Sequence, residues 1–459
     1  MVAALMLSVV ATQAQTLNSG YFTQDYKYRH SMNPAFDNEQ GYCAIPVIGN
    51  LYVSTQSNFG YDAVVMKNPE AGVNGQKSMA TFLHPAIDAE TALGGFNKGD
   101  NRLQANINIA IVSVGFRAFG GYNTLEINSK TQVSSVLPYE LFEFAKNTGN
   151  RRYEIGDISA QAMSYVEVGF GHSHQINDNL RIGAKLKALI GGARADVKLE
   201  NMTADLSADD KWIVSGKATA DVSLKGFEFK EKTKEYKNRP GSYNYVNDAD
   251  VSNGGVGGFG FAVDLGGVYK LNDDWQFSAA LLDLGFINWT NDIQAVNASQ
   301  QFEFDGFHDT EISKSSPNSF KNQGNSYSDQ IAEFANLRNQ GDKGSRSTAL
   351  GSTLNVGAEY TLPVYRNISF GVLSSTRFQK EFTWTEGRLS ANWTPLNWLD
   401  GGVNFAVSTF TVSGGWILNI HPGGFNLFLG MDHIMGKTSK EGIPLSGNGS
   451  VNFGMNIAW

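Results

Sequence analysis

Stretches of about ten residues in which apolar and polar side chains alternate recur along this chain, and that period of two constrains its fold more than any other feature. In the last stretch Val451, Phe453, Met455, Ile457 and Trp459 fall on one face, and Asn452, Gly454, Asn456 and Ala458 on the other. Leu103, Ala105, Ile107, Ile109 and Ile111 alternate with Arg102, Gln104, Asn106 and Asn108. Leu180, Ile182, Ala184 and Leu186 alternate with Arg181, Gly183, Lys185 and Lys187. Phe259, Phe261, Val263 and Leu265 alternate with Gly260, Asp264 and Gly266. Leu354, Val356 and Tyr360 alternate with Asn355, Gly357 and Glu359, and Ile368, Phe370 and Val372 with Ser369 and Gly371. The stretch from Phe425 to Met431 follows the same rule except at Phe428. About ten residues is the length a tilted strand needs to cross a bilayer.

The connections are sorted by length. Some are very short: Asn177-Asp178, Asn272-Asp273-Asp274, Arg366-Asn367, Pro395-Leu396-Asn397 and His421-Pro422-Gly423-Gly424. Others are long and polar, over residues 67–101, 226–255, 290–347 and 436–449. Short turns at one end and long loops at the other are the arrangement of outer-membrane barrels. Trp275, Tyr360, Trp384, Trp393, Trp398, Trp416 and Trp459 fall near strand ends, where aromatic girdles meet lipid headgroups. The pattern predicts an all-β fold: a closed antiparallel transmembrane β-barrel of about 14 strands, within a range of 12–16. Two short loop helices are expected, over residues 138–145 and 328–337, the second capped by Ser328.

Composition agrees. Gly supplies 50 of 459 residues, against about 7% in average proteins, while charged residues make up 17% and aromatics 12%. A single Cys excludes a disulfide framework and a thiolate metal cluster. A net charge of -8 without a basic block argues against nucleic acid as a partner. No apolar run reaches the length of a helical membrane span. At the start, residues 2–10 are nearly all apolar and lead into Ala11-Thr12-Gln13-Ala14. We expect an export signal over residues 1–14, cut after Ala14. Export, and a last strand ending on Trp459, point to the bacterial outer membrane. The expected partners there are lipid and the barrel-assembly machinery that reads the C-terminal strand.

The segment behind the signal reads Tyr28-Arg29-His30, then Asn33-Pro34-Ala35, then Ile45-Pro46 with Gly49-Asn50, and later Leu137-Pro138. The Asn-Pro-Ala box resembles one near the mature N-terminus of long-chain fatty-acid transporters and of type IX secretion barrels of the Bacteroidota. The fuller string resembles a Bacteroidota outer-membrane barrel family of unknown function. That resemblance implies an N-terminal segment, residues 15–43, tucked into the lumen of a barrel formed by residues 44–459. The Gly-rich signature that precedes the box in fatty-acid transporters is absent. Pro34 fixes its own φ and Asn33 can bond nearby backbone, so the box makes a rigid turn.

Little in the sequence carries chemistry. There is no zinc-type spacing, no nucleophile elbow and no phosphate loop. His172 and His174 share a strand face without a third ligand, and Asp157, Glu167, Asp283 and Asp432 have no spacing that pairs them. We expect no catalytic residue, no metal and no cofactor. Strand parity places Arg102, Glu167, Arg181, Lys185, Asp264, Glu359 and Arg377 on the inner face, and with Asn33 and Pro34 these are the candidate lumen-lining or plug residues. Charges of both signs fit either a salt-bridged lining that holds a plug or a constriction that selects solutes. The expected function is passage or binding of small molecules, hydrophobic ones included, through a plugged lumen. The alternative is a non-conducting scaffold that binds partner proteins.

Overall fold

The alternating stretches hydrogen-bond edge to edge until the sheet meets itself. The computed structural model describes residues 17–73, 77–207, 211–311, 316, 318–434 and 447–459. The expected export signal, and most of the loop expected over residues 436–449, lie outside the described residues. Strand β1 is interrupted, comprising Tyr42–Ala44 and Leu51–Ser57. Six long strands follow: β2 (Asp100–Ala118), β3 (Gly121–Pro138), β4 (Arg152–Gln175), β5 (Leu180–Asp205), β6 (Gly258–Lys270) and β7 (Trp275–Trp289). The others are β8 (Ser352–Thr361), β9 (Ile368–Phe378), β10 (Trp384–Leu396), β11 (Leu399–Ser408), β12 (Val412–Ile420), β13 (Phe425–Met431) and β14 (Gly449–Ala458). Each pairs antiparallel with the next, from β1 to β8 and from β8 to β14. Finally β14 pairs with β1, closing a ring of 14 strands that satisfies its own backbone and leaves no edge in lipid.

The outward positions are the greasy ones. Phe170, Leu186, Phe261, Leu265, Phe370, Leu389, Val403 and Ile457 are all exposed, far more apolar surface than water tolerates on a monomer. No helix among the described residues is long and apolar enough to cross a membrane. Trp275, Trp393, Trp398 and Trp459 are exposed at the short-turn end, as a headgroup girdle requires. Trp384 departs from the expectation: it is 3% exposed and turns into the lumen at the opposite end. Phe428, the break in the alternation, is fully buried inside the ring. Replacing the outward Ile107 with Arg is expected to cost about 2–4 kcal/mol near the bilayer midplane. Urea unfolding in lipid vesicles would measure it, and an unchanged midpoint would mean the facing is reversed.

At the long-loop end β4 and β5 run to 24 and 26 residues and rise well beyond a bilayer's thickness. The strand Trp212–Leu224 pairs with the top of β5, and Ile293–Asn297 and Gln301–Phe304 pair with it in turn. One expected loop helix is Tyr139–Lys146. The other is Phe320–Ala335, and its cap is Ser319, whose side chain accepts the Asn322 N–H. Ser328 lies inside that helix. The first half, Lys321-Asn322-Gln323-Gly324-Asn325, has no apolar period by which a sequence could announce it.

Candidate functional site

Residues 17–41 lie inside the ring. Their apolar side chains make a core: Tyr21, Phe22, Tyr26, Tyr28, Met32 and Phe36 cluster with Tyr42, Tyr52 and Phe428 of the wall. The segment is built from tight turns, with 3-10 turns at Asn18–Gly20 and Arg29–Ser31. At the Asn-Pro-Ala box Asn33 Oδ1 accepts the Ala35 N–H at 2.9 Å, a local turn that Pro34 stiffens. Asn33 Nδ2 then reaches the Gly267 and Ala279 carbonyls of β6 and β7, at 3.2 and 3.4 Å. The three buried tyrosine hydroxyls find wall partners. Tyr26 donates to Asn452 Oδ1 at 2.8 Å, Tyr28 to Asn456 Oδ1 at 2.8 Å, and Tyr21 lies 3.0 Å from Ser278 Oγ.

Inward glycines make the room. Gly183 and Gly266 are cross-strand partners on β5 and β6. A Cβ on the first would collide with the backbone of Pro34 and Ala35, and one on the second with the Asn33 side chain. Gly371 and Gly430 face Phe22 and Leu17 in the same way. Part of the glycine excess is therefore a mould for the plug. The interruption in β1 serves it too. Ala44 pairs with Asn456 and Leu51 with Phe453, so the six residues 45–50 oppose two on β14. The bulge stays bonded to both neighbours, through Val47 N–H to Ala110 O at 3.0 Å and Met455 N–H to Ile48 O at 2.9 Å. It also brings the Gly49 carbonyl within 3.0 Å of the Tyr28 hydroxyl.

Beside the plug, five adjacent strands carry a buried ion network. Lys130 of β3 lies 2.7 Å from Glu167 of β4. Lys185 of β5 pairs with Glu126 of β3 and lies 3.2 Å from Glu167. Lys187 of β5 lies 2.7 Å from Asp264 of β6, 2.6 Å from Asp283 of β7 and 3.6 Å from Glu167. Asp283 is there because of a bulge. Val263 pairs with Leu284 but Leu265 with Leu281, and Asp283 takes a φ of 57°. Its own N–H donates to Asp264 Oδ1 at 2.7 Å. Unbroken parity would have turned this carboxylate to lipid.

Across the lumen Arg388 pairs with Glu386 and Asp432, each at 2.7 Å. Asp432 also accepts the backbone N–H groups of Asn18 and Ser19, at 2.8 and 3.1 Å, anchoring the start of the plug. Between the two clusters lies a cavity of about 60 Å³, lined by Asn108, Lys130, Glu167, Lys187, Asn355 and Arg377 among others.

Of the residues expected on the inner face, Glu167, Lys185 and Asp264 meet in the network, and Arg377 lines the cavity and donates to Thr353 Oγ1 at 3.3 Å. Glu359 is buried elsewhere on the inner wall, opposite Gly371. Arg181 lies at the short-turn end and holds the plug through Asp37 at 2.9 Å. Arg102 pairs with Asp100, at 3.2 Å, near the long-loop end and away from the network. Parity on β3 and β10 could have found Glu126, Lys130, Glu386 and Arg388. Small or polar outward neighbours such as Ser129, Thr131 and Gly387 blur the alternation there.

A family model covers residues 34–432, and that match decides the affiliation. The chain belongs to DUF5723, a family of unknown function. No curated protein matches it in sequence. Among solved structures it is similar to the toluene transporter TbuX of Ralstonia pickettii, with a TM-score of 0.44 and 9% identity over 95% of this chain and 93% of that one. It is also similar to a FadL homologue of Pseudomonas aeruginosa, with a TM-score of 0.38 and 9% identity over 97% and 98%. The translocator domain of the autotransporter NalP from Neisseria meningitidis gives 0.33 and 6% over 96% of each chain.

Proposed function

We propose that this member of DUF5723 is a gated outer-membrane channel for small polar solutes, held shut by its own N-terminal segment. The observation that carries the reading is the lining of the central cavity, where lysines, carboxylates, Asn and Arg377 converge. A constriction of mixed charge favours solutes that offer both donors and acceptors. Apolar cargo would need an aromatic wall, and most aromatic rings inside the barrel are engaged in packing the plug. At about 60 Å³ the cavity has room for only a few waters, so passage requires the plug to move. An apolar exterior, an even strand number and loops sorted by side support the outer membrane as its home. There its partners would be lipid and the assembly machinery that engages β14 and Trp459.

Planar-bilayer recording tests this. The wild-type protein should be nearly silent, and a variant lacking residues 17–38 should give stepwise ohmic current. A deletion variant that migrates as a folded, heat-modifiable barrel yet never conducts would overturn the channel reading. One observation favours a second role. The tall wall of β4, β5 and Trp212–Leu224 at the long-loop end exceeds what crossing a bilayer needs. A scaffold of that kind would co-purify with a stoichiometric partner protein.

A further inference from the structure

At the short-turn end of the barrel, three side chains from distant parts of the chain converge: Asp25 of the plug, Asp400 of β11 and His421 in the turn between β12 and β13. One nitrogen and two carboxylate oxygens lie within 4.8 Å of one another. His421 Nε2 is 3.3 Å from Asp400 Oδ1 and 3.6 Å from Asp25 Oδ2. These separations are too long for charge-assisted hydrogen bonds, which fall at about 2.7–2.9 Å. His421 is only 6% exposed, and its Nε2 has no hydrogen-bond partner. Two donors bound tetrahedrally to one ion at about 2.1 Å lie about 3.4 Å apart. The two His–Asp distances bracket that edge.

The surroundings fit a ligand set. Asn419 Nδ2 donates to Asp400 Oδ1 at 2.6 Å, and Asn426 Nδ2 donates to Asn419 Oδ1 at 2.7 Å. Such a chain of amides fixes the carboxylate's orientation, as outer-shell partners do at metal sites. The Asp25 N–H donates to the other Asp400 oxygen at 3.3 Å. Lys27, the nearby cation on the plug, is turned to Gln40 Oε1 at 3.4 Å. Among the described residues neither carboxylate forms an ion pair with a lysine or arginine, so two negative charges face one imidazole. The Asp25 side chain is 30% exposed, which leaves a path for an ion and room for water ligands.

We propose that Asp25, Asp400 and His421 bind one divalent transition-metal ion, and that the ion clamps the plug to the barrel wall. One imidazole with two carboxylates suits Zn(II), Mn(II) or Fe(II) better than Ca(II), which takes oxygen ligands. The test is titration of the full-length, chelator-stripped barrel with ZnCl2, followed by calorimetry and by thermal unfolding. The expected result is one equivalent bound with micromolar or tighter affinity and a raised melting temperature. His421→Ala and Asp400→Asn should each weaken binding by about 100-fold or more. Asp25→Asn, on the plug and away from the wall's own packing, should do the same while the barrel stays heat-modifiable. It therefore decides the matter should a wall variant fail to assemble. Wild-type protein that binds no Zn(II) below about 1 mM, or an Asp25→Asn variant that binds it as well as wild type, would overturn the proposal.

Discussion

Replacing Lys187 with methionine is expected to destabilise the folded barrel by about 3–5 kcal/mol. Its ammonium lies within 3.6 Å of Asp264, Asp283 and Glu167, and its side chain is 4% exposed. Removing it leaves carboxylates facing one another with little water to screen them, and the cost comes mainly from those stranded charges. The double variant Lys187→Met with Asp264→Asn should therefore lose less than the sum of its two single variants. A double-mutant cycle on urea unfolding in lipid vesicles measures that coupling. Strict additivity would mean that the network relaxes into water and contributes little.

The second large effect concerns the plug. Gly183→Val should expel the corner formed by Asn33, Pro34 and Ala35, because a Cβ there meets the plug's backbone and no side chain can yield instead. Overpacking of this kind costs about 1–3 kcal/mol. The strand itself should not suffer, since valine suits a sheet better than glycine does. Two readouts should move together: trypsin should cleave at Lys27 and Arg29, and channel current should rise toward that of the plug deletion. Ile182→Val, one residue away on the lipid face, should change neither. A Gly183→Val barrel with a protected plug would show that the slot formed by Gly183 and Gly266 has slack.

Most of the barrel was legible because lipid imposes a local rule. Each second residue of a spanning strand must be apolar, so 103–111, 180–186 and 451–459 announced themselves one strand at a time. The rule failed where its premise did. Phe428 and Trp384 keep the inward parity of their strands but are large and apolar on a face expected to be polar, because the plug and the cavity offer them contacts that alternation does not announce. Asp283 sits on a lipid-side parity and still turns inward, because a bulge shifts the register by one residue. The Ser319 cap was hidden because its helix opens on a polar run with no period.

By itself the sequence determined the class of fold, the approximate strand number, the facing of most strand residues and the end that carries the short turns. All of these follow from interactions between near neighbours and from the apolar solvent on one side. Tertiary structure alone decided which charges meet, why the glycines lie where they do, and how the N-terminal segment closes the lumen. Asp25, Asp400 and His421 illustrate the reason. No spacing links them, and they come within 4.8 Å only because the ring closes around the plug.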